Sequence, residues 1–143
     1  MFQGWCRIQR CQIHKLRNIR EHLPEGRRAW VATRLRAAFK TANADKGERQ
    51  VCQLIQELEE DYPCAASSIQ EGLSEMFTLT RLGLGGQEAL WGSLRSTNAI
   101  ESLQGSMKHT AKNVKRWRSG MVVLRWAVTG VMEAQKKLRR IEG

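Results

Sequence analysis

The chain has 143 residues and carries 24 Lys plus Arg against 14 Asp plus Glu, a formal charge of +10. Its 41% hydrophobic content is enough to bury a core and excludes wholesale disorder, while no stretch approaches the roughly 18 uncharged apolar residues of a membrane span. Arg7 and Arg10 stand where the apolar core of a secretory signal would lie, and Cys6, Cys11, Cys52 and Cys64 are too irregularly spaced for a disulfide scaffold, so a reducing, cytoplasmic setting is expected.

Residues 5–14 alternate loosely through Cys6, Ile8, Cys11 and Ile13, which predicts a short strand. Residues 15–23 begin a helix that Pro24 ends. From Arg27 to Ala42 the apolar positions Val31, Leu35, Ala38, Phe39 and Ala42 fall at helical spacing. Asp45 with Glu48 three residues on fits a capping box before a helix that aligns Val51, Leu54, Ile55 and Leu58. Tyr62-Pro63 ends that helix, and another is expected over 64–77 through Ala66, Ile69, Leu73, Met76 and Phe77. Gly83, Gly85 and Gly86 mark a break. The next helix runs from an Asn98 cap through Ile100, Leu103, Met107, Val114 and Trp117, with Glu101 three residues after the cap. Arg118-Ser119-Gly120 is a turn, and a last helix over roughly 121–139 is apolar on most sides, which predicts burial. The fold expected from the residues is mainly α: one short N-terminal strand followed by about six helices.

Charge is unevenly distributed. Residues 1–40 hold ten basic and two acidic side chains, residues 41–94 three and nine, and residues 95–143 eleven and three. Two basic flanks around an acidic middle suit a protein that meets a polyanion with part of its surface, and nucleic acid is the expected partner because neutralised phosphates release counterions.

The chemistry-bearing candidates are few. Cys11-x-x-His14 has metal-ligand spacing, and Cys6 could add a third ligand, but a structural zinc site needs four; a buried thiol beside a hydrogen-bonded His is the simpler reading. Asp45 reads as a helix cap and Asp61 as a solvated helix end. Glu101 is the only acid between Arg95 and Gly120, amid Arg95, Lys108, Lys112, Lys115, Arg116 and Arg118. It has two readings, a metal-binding carboxylate beside a phosphate backbone or the acid of a capping box. In Lys115-Arg116-Trp117-Arg118 the ring continues the apolar stripe of its helix, which predicts core packing and leaves the charges around it available.

Three blocks, Gln9-Arg10-Cys11-Gln12-Ile13-His14-Lys15-Leu16-Arg17-Asn18, Leu94-Arg95-Ser96-Thr97-Asn98-Ala99-Ile100-Glu101-Ser102-Leu103 and Asn113-Val114-Lys115-Arg116-Trp117-Arg118, together resemble the C-terminal part of bacterial Mutator-type insertion-sequence transposases. The resemblance spans nearly the whole chain; Gln104 stands where many relatives carry Asn. It implies the C-terminal piece of a ribonuclease-H-like α/β domain with an all-helical insertion, in which an Asp, Asp, Glu triad binds Mg2+ or Mn2+ and cleaves and transfers DNA strands. On that resemblance Glu101 is the catalytic and metal-binding acid, Arg95, Asn98, Lys108, Lys112, Lys115, Arg116 and Arg118 contact DNA, and Cys11 and His14 form a motif that is architectural or touches DNA. The implied organisation is 1–23 as a strand and helix start from the catalytic core, 24–94 as the helical insertion, and 95–143 as the Glu-bearing helix with a buried final helix. The implied partners are the terminal repeats of an insertion element and, in the full-length protein, further copies of itself. The family's two aspartates precede the Cys-x-x-His block, where only ten residues stand here, so a fragment inactive by itself is expected. The alternatives are a non-catalytic basic DNA-binding module and a basic helical protein with no DNA role.

Overall fold

Apolar positions three and four apart become helices along most of the chain. The computed structural model describes residues 7–84 and 88–138. These contain α1 (Gln12–Glu21), α2 (Glu25–Phe39), α3 (Ala44–Glu59), α4 (Pro63–Gln70), α5 (Thr78–Arg81), α6 (Glu88–Leu94), α7 (Asn98–Ala111) and α8 (Gly120–Gln135), with a 3-10 turn, Ser74–Phe77, between α4 and α5. They fall into two compact units, Met1–Ser96 and Thr97–Gly143. No helix among the described residues is long and apolar enough to cross a membrane.

In the first unit α3 presents Val51, Leu54, Ile55 and Leu58, all buried, to α2 and α4. Val31, Leu35, Ala38 and Phe39 of α2 complete one side, and Ala65, Ala66 and Ile69 of α4 the other. Phe39 and Phe77 meet edge to face, ring centroids 5.8 Å apart at 63°. Burying each large side chain contributes about 1.5–3 kcal/mol, so this cluster dominates the stability of the unit. The cap of α3 is Asn43, whose Oδ1 accepts from the Lys46 N–H at 2.9 Å, and Asp45 sits inside the first turn; the expected Asp45–Glu48 capping box is corrected accordingly. The single helix expected over 64–77 is also corrected. It stops at Gln70 because Gly72 takes a φ of 69°, left-handed backbone that only glycine adopts cheaply. A Cβ at Gly72 would lie 2.3 Å from Arg10 Nε.

The expected strand over 5–14 is overturned, and with it the ribonuclease-H-like α/β class: the described residues are helical and irregular and contain no strand. Residues 7–11 are irregular and α1 begins at Gln12; Trp5 and Cys6 lie outside the described residues. The polar groups of this stretch are satisfied by the turn at 75–79, not by a neighbouring strand. The Arg10 N–H donates to the Glu75 carbonyl at 3.1 Å, and the Thr78 hydroxyl donates to the Ile8 carbonyl at 2.6 Å. Gln9 Nε2 donates to the Met76 carbonyl at 3.1 Å, and its Oε1 accepts from the Leu79 N–H at 3.0 Å. The alternation that suggested a buried strand face buries little, since Ile8 is 59% and Ile13 37% exposed. Side chains add to this fastening: Arg10 pairs with Glu75 at 2.9 Å and Glu71 at 3.1 Å, and the buried Lys15 with Glu71 at 3.3 Å.

The second unit is α7 packed on α8. Gly130 allows the close approach: a Cβ there would stand 2.7 Å from Met107 Cα. Ser119 caps α8, accepting from the Val122 N–H at 3.4 Å. The cap of α7 is Thr97 rather than Asn98, and the helix ends at Ala111 instead of running on through Val114 and Trp117. The burial expected for the final helix is confined to one side. Gly130 and Ala134 are buried, while Met121, Leu124, Val128 and Met132 are 59%, 55%, 48% and 59% exposed.

Candidate nucleic-acid interface

Glu101 lies in the first turn of α7 and is exposed. The Thr97 hydroxyl donates to Glu101 Oε1 at 2.6 Å, and the Glu101 N–H donates to the Thr97 carbonyl at 2.9 Å. An acid in the first turn is favoured by the partial positive charge of the helix start. Asn98 occupies the first helical position, exposed, and Lys108 lies in the last turn, exposed.

Past Ala111 the chain becomes irregular, and Lys112, Lys115, Arg116, Trp117 and Arg118 all lie there, exposed to solvent. Trp117 is 49% exposed, so the core packing expected for its ring is corrected; the stripe that suggested it required the helix to continue. None of the five cations Lys108, Lys112, Lys115, Arg116 and Arg118 forms an ion pair among the described residues. An irregular basic segment with an exposed indole suits a polyanion carrying flat rings: the cations meet phosphates and the ring offers a stacking face.

Arg95 belongs to the first unit. Its guanidinium stacks over the Trp91 ring, 4.7 Å from the centroid, and its carbonyl accepts from the Gln12 N–H at 3.2 Å. It also lines a cleft with Arg17, Arg20, Arg36 and Lys40, four cations that the sequence reading did not single out. Cys11 precedes α1, and its Sγ lies 3.2 Å from His14 Nδ1, within hydrogen-bond distance. This local pair is what the spacing of three predicts on a helix start. Cys6, weighed as a further ligand, falls outside the described residues.

The donor set does not by itself fit a divalent metal centre. Among the described residues no three His, Cys, Asp or Glu side chains converge to hold an ion. Mg2+ and Mn2+ take about six oxygen ligands, and a single carboxylate supplies at most two.

A family model described as "Transposase, Mutator family" matches residues 3–140 of the chain. The chain is also similar to the transposase for insertion sequence element IST2 of Acidithiobacillus ferrooxidans, 24% identical over 129 residues, which are 90% of this chain and 42% of that protein. It therefore spans less than half the length of that relative. No solved structure matches it.

Proposed function

Because the chain belongs to the Mutator family of transposases, we propose that it serves transposition of an insertion element by contributing a catalytic carboxylate and a DNA-contact surface to a DNA strand-transfer enzyme. The reaction class is in-line attack of water or a 3′-hydroxyl on a phosphodiester of the element's terminal repeats; Mg2+ or Mn2+, held by Glu101 together with carboxylates from outside these residues, would supply charge stabilisation. The residue proposed for the site is Glu101, as the acid of an Asp, Asp, Glu triad whose other members lie outside these 143 residues. The observation that carries the reading is the one acid of α7, exposed and oriented by Thr97, on a helix that leads into the basic segment of Lys112, Lys115, Arg116 and Arg118. Those cations neutralise phosphates, and the Trp117 ring stacks on an unpaired base. By itself the chain is inactive in this reading, since one carboxylate cannot hold two ions about 4 Å apart.

The test joins residues 1–143 to the part of the IST2 transposase that they do not span. The chimera should cleave element ends with magnesium or manganese, and the 143-residue chain should not. In the chimera Glu101→Gln should abolish cleavage and leave DNA affinity within about twofold, because it removes a metal-ligating charge and keeps the side-chain shape. Undiminished cleavage by the Gln variant would remove Glu101 from the site. Cleavage by the unaided chain, lost in Glu101→Gln, would require the remaining carboxylates to come from within this sequence.

A further inference from the structure

The first unit holds a cleft of about 490 Å3 between α1 and the end of α2, and its charged lining is all of one sign. Arg17 and Arg20 reach it from α1, Arg36 and Lys40 from the end of α2, and Arg95 from beyond α6, over the buried ring of Phe39. Among the described residues no carboxylate lines it. We propose that this cleft is a phosphodiester-binding site that seats the backbone of the DNA, so that the helical first unit grips substrate in addition to the basic segment after α7; the proposal rests on the transposase reading above.

Three observations carry it. First, the cleft gathers its cations without a counter-charge. Elsewhere in this unit Arg10 pairs with Glu71 and Glu75, Lys15 with Glu71, Arg34 with Glu57, and Arg81 with Glu48, while Arg7, Arg27, Arg28, Lys46 and Arg49 form no ion pair among the described residues and do not line the cleft. The five cleft cations form no ion pair among the described residues. Second, gathering them has a cost. Arg36 and Lys40 stand four residues apart, where like charges destabilise a helix by about 0.2–0.5 kcal/mol. The negative ends of the α1 and α2 dipoles account for Arg20, Arg36 and Lys40 one at a time. They do not account for these three facing Arg17 and Arg95 across one concavity, an arrangement that an anion relieves. Third, Arg95 is held in place: its backbone is tied to Gln12 and its guanidinium stacked on Trp91, so little side-chain freedom is lost when its fork meets a phosphate.

The experiment measures log Kd against log salt for the 143-residue chain on a labelled duplex, at nanomolar protein. Arg17→Gln, Arg36→Gln and Lys40→Gln combined should reduce the magnitude of the slope by about 2–3, about 0.9 per lost phosphate contact. The substituted side chains are exposed, so the melting curve should hold, and Arg36→Glu alone gives the same direction of change should the triple variant melt early. Pyrophosphate should compete only weakly. An unchanged slope in the triple variant, with the slope flattened by alanine at Lys112, Lys115, Arg116 and Arg118, would overturn the cleft and leave the transposase reading standing. Tight pyrophosphate binding lost in the triple variant, without DNA competition, would assign the cleft to a small phosphate ligand and overturn the proposal. Absence of salt-dependent DNA binding by the unmodified chain would refute both readings together.

Discussion

The Thr97 hydroxyl and the Glu101 carboxylate share a 2.6 Å hydrogen bond across the first turn of α7. A hydroxyl that caps a helix normally accepts from a backbone N–H; here it donates to a side chain four residues on. The bond fixes the direction of one carboxylate oxygen of the group proposed above to ligate a metal ion.

Thr97→Val removes that bond while nearly preserving shape. In a cleavage-competent chimera it should lower the cleavage rate about tenfold, since small misplacements of a catalytic group are costly, and leave DNA affinity unchanged. The melting curve should hold, because the Thr97 side chain accepts no N–H of the first turn. Thr97→Ser should recover the rate. Equal cleavage rates for the Val and unmodified proteins would show that the bond does not position the carboxylate.

Trp117 gives a prediction that separates stacking from packing. As an exposed ring between Arg116 and Arg118, it should bind unpaired bases. Trp117→Ala should weaken binding to single-stranded DNA by about 1–3 kcal/mol, weaken binding to duplex much less, and leave the melting curve in place. Quenching of indole fluorescence on adding oligothymidine would report the same contact. Loss of helicity in the Ala variant with unchanged DNA affinity would return the ring to a core role.

Periodicity made the helices of the first unit legible: the α3 face of Val51, Leu54, Ile55 and Leu58 is buried as its spacing requires. Helix ends were less legible, because capping is decided by which hydroxyl or amide reaches the first turn. Asn43 takes the place expected of Asp45, and Thr97 that of Asn98, each a shift of one or two residues between chemically similar groups. The strand failed for a different reason. Cys6 with Ile8 and then Cys11 with Ile13 alternate only loosely, while Gln9, Arg10 and Gln12 find partners at Glu75, Met76 and Leu79, some 65 residues away, and no local pattern encodes that fastening. The cleft cations Arg17 and Arg20, and Arg36 and Lys40, stand at helical spacing, but nothing in that spacing singled them out from the other basic residues. What the sequence concealed was that the two helices turn these pairs toward one another.

Acid should loosen that fastening. Hydrogen bonds from Arg10 first, and then from Lys15, hold the Glu71 carboxyl below its usual range. A carboxylate whose folded pKa is lowered adds stability above the unfolded value, and loses it as pH falls through the folded one. Glu71→Gln should therefore lower the melting temperature at pH 7, and the two proteins should converge below about pH 4, the range where a carboxylate protonates. Thermal melts followed by circular dichroism between pH 3 and 7 measure this. A constant difference across that range would show that Glu71 acts through packing instead of charge. Glu71 and Arg10 face solvent while Lys15 is buried, so added salt should shrink the Arg10 part of the pH 7 difference.

The two sides of α8 should respond oppositely to substitution. Met121, Leu124, Val128 and Met132 recur at three- and four-residue steps, which places them on one stripe, and all four are exposed. Gly130 and Ala134 lie on the side packed against α7. An uncovered apolar stripe binds hydrophobic dyes and promotes self-association. The chain should therefore enhance the fluorescence of such a dye at neutral pH and sediment as larger species with rising concentration. Replacing the four exposed residues by Gln should abolish both effects with little loss of helicity, because few packed contacts are removed. Gly130→Ala should do the reverse. Its new methyl would stand 2.7 Å from Met107 Cα, a backbone atom that cannot swing aside. Overpacking of this kind costs about 1–3 kcal/mol and outweighs the gain of about 1 kcal/mol that Ala brings to a helix interior. The expected result is an earlier melt of α7 and α8 with the first unit undisturbed, read from amide exchange in the two units. A dye-silent monomer at high concentration would show that the stripe is already covered, and an Ala variant that melts later would show that α8 can shift away from Met107 at no cost.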